Sequence, residues 1–309
     1  MTQPETFLPD FFEPLLREQY DDETVARIIA GCSERRATTL RANTLKATRD
    51  QTATALDEAG LEWEGVNWYD DAFVLQPGSE AAVRALTLYQ EGGVYVQSLS
   101  SMIPALVLGA CAGEDVCDLC AAPGGKTTQI SALSGGGAYI TACEMHASRA
   151  EKLQHNLEMQ GTRSVTVLRT DARRLDDFFS FDRILVDAPC SGSGTLRASD
   201  ARVPKRFTPA LIAKSMKAQR ALLAKGLQLL KPGGTLVYST CSVLARENEE
   251  IVEWALGQVR KGRVYELQPV EISGAEDMPA LPSTIEEALL LCPTNLFEGF
   301  FVAKIKRKS

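Results

Sequence analysis

The sequence predicts an α/β protein: a mostly parallel sheet with helices on both faces, preceded by a small α+β module. Three observations carry that expectation. From about residue 115 onward, short apolar strands alternate with helical segments, the signature of βαβ units. A glycine-rich loop, Cys120-Ala121-Ala122-Pro123-Gly124-Gly125, joins the first of those strands to a helix that begins at Lys126. Ahead of Gly93 the pattern differs, with short helices and isolated strands separated by turn residues. The 309 residues, 45% hydrophobic and 24% charged, suffice for the core that such a sheet needs. The expected division is 1–92 for the leading module and 93–309 for the sheet domain.

Residues 10–32 read as two short helices, the second capped by Asp21 or Asp22 and running over 23–30. Residues 38–45 have the pattern of a strand, 50–59 that of a helix stopped by Gly60, and 73–75 that of a strand before the Gln76-Pro77-Gly78 turn. Further strands are expected at 115–119, 138–143, 165–168, 183–186 and 235–238, with helices over 148–159 and 209–230. The last helix is the best marked. Thr208 caps it, Pro209 suits its first turn, Leu211, Ile212, Leu222, Leu223, Leu227 and Leu230 form its apolar side, and Lys231-Pro232-Gly233-Gly234 stops it. A helix over 247–256 and strands over 264–267 and 299–305 complete a mixed edge.

A net charge of −7 excludes a protein that coats nucleic acid through overall positive charge, so a local patch has to supply any such contact. Residues 1–9 lack a basic start followed by an apolar run, and no apolar stretch reaches the roughly 18 residues of a membrane span. Eight scattered cysteines fit a reducing compartment better than a disulfide framework. The expected location is the cytoplasm, with no membrane association and no obligate protein partner.

In a doubly wound sheet, ligands bind beyond the carboxyl ends of the strands, where loops and helix N-termini expose unpaired N–H groups. The loop Cys120, Ala121, Ala122, Pro123, Gly124, Gly125, Lys126 sits at such an end, and its glycines let the backbone approach a bulky nucleoside. It matches neither the dinucleotide pattern nor a full phosphate loop, which would need glycine where Cys120 stands. Glu144, ending the next strand, is placed to accept hydrogen bonds from ribose hydroxyls, and Asp171, past the third, to meet an adenine edge. Arg149, in the helix after Glu144, is grouped with the same pocket.

Two cysteines reach the same rim, Cys190 in Asp187-Ala188-Pro189-Cys190-Ser191-Gly192-Ser193-Gly194 and Cys241 in Tyr238-Ser239-Thr240-Cys241-Ser242. A thiolate is a strong soft nucleophile when its pKa is lowered, and loops at helix N-termini have that effect. Carbon 5 of cytosine takes a methyl group only after a nucleophile adds at carbon 6, which gives one cysteine a purpose. Asp187 is spaced to stabilise charge developing at the ring nitrogen.

These motifs resemble the Sun-type RNA cytosine-5 methyltransferases, the Nol/Nop/Sun group. The likeness runs through Asp118-Leu119-Cys120-Ala121-Ala122-Pro123-Gly124-Gly125-Lys126-Thr127, Asp187-Ala188-Pro189-Cys190-Ser191-Gly192 and Ser239-Thr240-Cys241-Ser242. Arg41-Ala42-Asn43-Thr44-Leu45 and Gly299-Phe300-Phe301-Val302-Ala303 extend it over nearly the whole chain. The resemblance implies a Rossmann-like class I methyltransferase domain that uses S-adenosyl-L-methionine. It implies that Cys241 attacks the base while Cys190 helps release the product, and that the loop 120–126, Glu144, Asp171 and Asp187 line the cofactor pocket. Three departures stand out: Glu144 where aspartate is common, no RNA-binding domain after the core, and Cys292-Pro293-Thr294 where a proline is often followed by a basic or aromatic residue.

Cys117 and Cys120 form a C-x-x-C without a second ligand pair, so no metal site is expected. The two histidines, His146 and His155, read as solvated helix residues. Arg197, Arg202, Lys205 and Arg206 oppose the single carboxylate of Asp200 in the loop after Cys190, which suits phosphate binding beside the site. Arg41, Asn43 and the basic tail 304–308 are further expected RNA contacts. The expected partner is RNA with an unpaired or flipped cytosine, ribosomal first and transfer RNA second. A non-catalytic RNA-binding assembly factor is the alternative from another class. A DNA cytosine-5 methyltransferase would need a large target-recognition insert that this chain lacks.

Overall fold

The computed structural model describes residues 6–259 and 262–308; the first five residues, part of the segment read above as lacking a leader, lie outside them. The leading segment forms α1 (Phe12–Arg17), α2 (Asp22–Ser33), β1 (Thr38–Ala42), α3 (Arg49–Glu58), β2 (Trp63–Val66), β3 (Tyr69–Leu75), α4 (Glu80–Ala85), α5 (Thr87–Gln90) and β4 (Val94–Val96). Asp21 caps α2 by accepting from the Thr24 N–H, and Thr48 with Gln51 forms a capping box on α3. The strands pair antiparallel in the order β2-β3-β1-β4. Because β4 follows residue 92, this small sheet takes its edge strand from beyond the expected boundary.

The second segment forms α6 (Leu99–Leu108), β5 (Asp115–Asp118), α7 (Gly125–Leu133), β6 (Tyr139–Cys143), α8 (Ala147–Met159), β7 (Val165–Leu168), β8 (Phe181–Asp187), α9 (Val203–Arg206) and α10 (Pro209–Leu229). It ends in β9 (Leu230–Thr240), α11 (Glu249–Gly257), β10 (Tyr265–Gln268), β11 (Leu289–Leu291) and β12 (Phe300–Arg307). The sheet order is β10-β12-β9-β8-β5-β6-β7, with β11 also on β12. From β9 to β7 the neighbours are parallel, and β10, β11 and β12 add an antiparallel edge, which is the Rossmann-like architecture expected. Strand order reverses at β5, so the loops after β5 and β8 leave toward opposite faces and open a crevice between them.

The central strands are buried on both faces. Ile184 and Val186 point into one core with Leu223, Leu227 and Tyr238, while Leu185 points into the other with Met102, Ile103 and Val302. Lys231-Pro232-Gly233-Gly234 does not simply end a helix. It forms a bulge within β9, where the register jumps from Phe181↔Leu230 to Arg183↔Thr235. Lys231 Nζ pairs there with Asp115 and Asp182 at 2.8 and 2.9 Å. Among the described residues no helix is long and apolar enough to cross a membrane.

One buried arginine joins the two segments. Arg41 is fully buried; its Nε donates to Gln97 Oε1 at 2.9 Å, and its Nη2 donates to the Gly125 carbonyl and to Thr128 Oγ1 at 3.1 and 2.7 Å. Its guanidinium also lies 5.3 Å from the Tyr95 ring centroid. Asn43, likewise buried, donates to the carbonyls of Gly92 and Gln160 at 2.8 Å each. This corrects the expectation that Arg41 and Asn43 touch RNA: both side chains are buried, and most of their polar atoms are bonded inside the protein, with Arg41 Nη1 left without a partner among the described residues. Arg41→Met is expected to lower the unfolding free energy by about 3 kcal/mol in urea denaturation, because it strands buried acceptors. RNA affinity of the folded variant should stay within about twofold, whereas an RNA-contacting arginine would show the reverse pattern.

Candidate active site

The loop after β5 is shaped by what surrounds it. Asp118, buried at the end of β5, accepts from the Cys120 N–H at 3.2 Å and from Thr127 Oγ1 at 2.7 Å, which ties the two ends of the loop together. Arg149 Nη2 donates to the Ala122 carbonyl at 2.8 Å, and Asn156 Nδ2 to the Pro123 carbonyl at 2.7 Å. Gly124 has φ +110°, and a Cβ there would stand 3.0 Å from Leu153 Cδ1; a Cβ on Gly125 would stand 3.2 Å from the Tyr95 ring. Backbone conformation therefore requires glycine at 124, and packing against Tyr95 leaves little room for a side chain at 125, a reason the sequence reading did not give.

Beside the loop, at the strand-order reversal, lies a cavity of about 310 Å³. Its walls include Asp118, Cys120, Ala121, Ala122, Pro123, Gly125 and Lys126 from the loop, with Asp187 and Cys241 opposite. Lys126 Nζ is 2.8 Å from Asp187 Oδ2 and 2.7 Å from Ser101 Oγ, and Ser239 Oγ donates to Asp187 Oδ1 at 2.8 Å. Burial works to lower the pKa of Lys126, but Asp187 more than offsets it and holds the ammonium above its ordinary value. Burial pushes the Asp118 carboxyl up to about 6.

Glu144 and Asp171, past the ends of β6 and β7, and Arg149 in α8 stand outside the walls of that cavity. Glu144 is buried, accepts from the His146 N–H at 2.8 Å and faces Arg149 at 3.3 Å. Asp171 is held by Arg173 through contacts of 2.8 and 2.6 Å, which keep its carboxyl below the usual range.

The sulfurs of Cys190 and Cys241 are 3.0 Å apart, bringing together the loops after β8 and β9. The bond to Cys241 and burial both push the Cys190 thiol well above its ordinary value. The lowered pKa expected from a helix N-terminus is therefore not found at Cys190, whose loop enters only a short 3-10 turn at Ser193–Thr195. Lys126 and Arg36 both interact electrostatically with Cys241, so cationic charge faces that sulfur.

Arg197, Arg202, Lys205 and Arg206 are exposed, with Arg202 taken up by Asp200 at 2.8 Å. The sequence reading missed Arg36, which donates to the carbonyls of Gly194 and Thr195 and lies 3.8 Å from Glu298, itself in the cavity wall. It also missed Ser101, whose helix α6 carries Pro104 in its interior and so lacks a clean helical pattern. His146 and His155 are exposed, and among the described residues no group of three or more His, Cys, Asp or Glu could hold a metal ion.

Because the folded pKa of Asp118 lies above its ordinary 3.8, ionisation opposes folding. The sign follows: wild-type stability relative to Asp118→Asn should fall as pH rises from about 4 to about 6 and level off above, by about 3 kcal/mol in all, measured as urea denaturation at each pH. A pH-independent difference between the two proteins would show that Asp118 does not titrate there.

The sequence profile of the 16S rRNA methyltransferase RsmB/F family matches residues 105–306, and that of the RsmF/B-like ferredoxin-like domain matches residues 8–81. The chain is 35% identical over 274 residues to ribosomal RNA small subunit methyltransferase F of Shewanella amazonensis, covering 87% of this chain and 57% of the relative. It is 34% identical to the protein of the same name from Vibrio atlanticus, covering 98% of this chain and 64% of the relative. The chain thus spans less than two thirds of the length of these curated relatives. A methyltransferase homologue from Pyrococcus horikoshii superimposes with a TM-score of 0.79 at 32% identity, covering 97% of this chain and 99% of that one. With a profile match over most of its length and this agreement in fold, the chain belongs to the 16S rRNA methyltransferase RsmB/F family.

Proposed function

We propose that the protein is an S-adenosyl-L-methionine-dependent RNA (cytosine-5)-methyltransferase that acts on small-subunit ribosomal RNA through a covalent Cys241 adduct. The observation that carries this reading is the pair of thiols 3.0 Å apart, with Cys241 in the same cavity wall as Lys126 and Asp187. The names of the curated relatives support the choice of RNA. The leading module, up to about residue 92 together with β4, presents the RNA to the sheet domain.

The residues present fit the cofactor. Asp118 and Asp187 in the cavity wall offer negative charge to a sulfonium, the 120–126 loop lines the cavity with Arg149 bracing it from outside through the Ala122 carbonyl, and Glu144 and Asp171, beyond those walls, offer acceptors to hydroxyl and amine groups that extend past them. When bound, the cofactor supplies an electrophilic methyl group.

The chain's own residues prepare the base. The Cys241 thiolate, facing two cations, adds to carbon 6 and makes carbon 5 nucleophilic. Lys126 and Asp187 place a proton donor and a carboxylate at the edge of the ring, where charge develops on the nitrogen. Once carbon 5 carries the methyl group, its proton has to leave and the carbon–sulfur bond has to break. Cys190, kept protonated by burial and by its bond to Cys241, donates its proton to the departing Cys241 sulfur, and the resulting Cys190 thiolate takes the proton from carbon 5. Both cysteines end as thiols, and the one net proton released is the one that Cys241 gives to solvent before attack. Arg197, Lys205 and Arg206 hold phosphates beside the site.

Methyl transfer from labelled cofactor to small-subunit ribosomal RNA tests this reading. Wild type is expected to label cytosine, Cys241→Ala to lose activity by about 10⁴-fold or more, and Cys190→Ala to accumulate protein trapped on RNA in a denaturing gel. Activity retained by Cys241→Ala would overturn the assignment of the nucleophile, and label in transfer RNA alone would overturn the substrate. Replacing Lys205 and Arg206 together with alanine is expected to flatten the slope of log affinity against log salt by roughly 1.5, with weakening of similar size on every RNA sequence.

A further inference from the structure

Glu247 is fully buried in the short turn before α11, and the reaction described above gives it no part. Its Oε1 accepts from the Ser191 N–H at 2.7 Å and from Gln219 Nε2 at 3.4 Å. Its Oε2 accepts from Ser191 Oγ at 2.5 Å and from Ser242 Oγ at 2.7 Å. Ser191 follows Cys190 and Ser242 follows Cys241, so one carboxylate receives hydrogen bonds from the residue after each thiol. A serine pair lies next to this junction: Ser193 Oγ and Ser242 Oγ are 2.8 Å apart, and the Gly194 N–H donates to the Cys241 carbonyl at 3.0 Å.

All the groups that donate to Glu247 are neutral, and a carboxylate so placed is costly to bury. Its use lies in acceptor capacity. Two oxygens with about four lone-pair sites accept from four donors at once, twice as many as a hydroxyl can. Burial pushes the Glu247 carboxyl up while these donors hold it down, and its charge further disfavours a Cys190 thiolate.

We propose that Glu247 is a positioning residue whose carboxylate fixes the separation of the Cys190 and Cys241 sulfurs by holding the loop that follows each cysteine. The inference rests on the two-thiol reading above, but its test requires neither RNA nor methyl transfer. Phenylarsine oxide reports the spacing directly: two thiols displace its oxygen as water and form two arsenic–sulfur bonds, which happens readily only when the sulfurs are held close.

Intact-mass titration should show one arsenical bridged at this pair in wild type and none there in Cys241→Ser. Glu247→Gln, which keeps the shape and one acceptor oxygen while its amide can donate to the Ser191 and Ser242 hydroxyls, should stay within about threefold of wild type, while Glu247→Ala and the double variant Ser191→Ala/Ser242→Ala should bind about tenfold more weakly. S-adenosylhomocysteine affinity, which depends on a loop that Glu247 does not touch, should be unchanged and so report a folded protein. If Glu247→Ala fails to fold, the serine variant decides. Wild-type arsenical affinity in a folded Glu247→Ala or in the serine variant would overturn the proposal. In methyl transfer the serine variant should lower kcat about tenfold with KM for RNA unchanged. Should wild type methylate no RNA, the functional reading falls while the thiol-spacing result stands by itself.

Discussion

The contact between Lys126 and Asp187 is the point on which the rest of the site depends. It joins the first turn of α7 to the end of β8 across the crevice where strand order reverses, and it is flanked by Ser101 from α6 and Ser239 from β9. Four elements from distant parts of the sequence thus converge on two charges. Lys126 is largely buried, and a buried ammonium without its carboxylate would be expensive. The pair therefore constrains how closely β5 and β8 present their loops.

Around that contact the two cysteines occupy unlike environments although their sulfurs touch. Cys190 is enclosed by burial and by the charge of Glu247, both of which favour the thiol, whereas Cys241 faces Lys126 and Arg36. The sign of the neighbouring charge thus differs between two identical side chains, which is the asymmetry that the proposed roles of the two cysteines draw on.

Most of the sheet domain was legible in the sequence because its strands are short apolar runs closed by loops with strong turn chemistry. Residues 165–168 match their observed bounds, and α10 starts where Thr208 and Pro209 place it and ends one residue short of its expected limit, where β9 begins at Leu230. The edges were less legible. β2 shows only Trp63 and Val66 as apolar residues and is half exposed, α6 is apolar on every side and interrupted by Pro104, and β11 is three residues long. At the site, residues inside recognisable loops were found, and those that act across the fold were not. Arg36, Glu247 and Glu298 carry no local pattern, since their partners lie far away in sequence. Arg41 and Asn43 were misassigned because a charged residue in a motif looks alike from sequence whether it faces solvent or a buried carbonyl.

The burial of Arg41 has a mechanical consequence. Three hydrogen bonds and a facing aromatic ring couple the small sheet to the glycine loop that walls the cavity, so that the two move as one lever. A load that tilts β1 is delivered to the Gly125 carbonyl, and a ligand that pulls on the glycine loop pushes back on β1 with the same free energy.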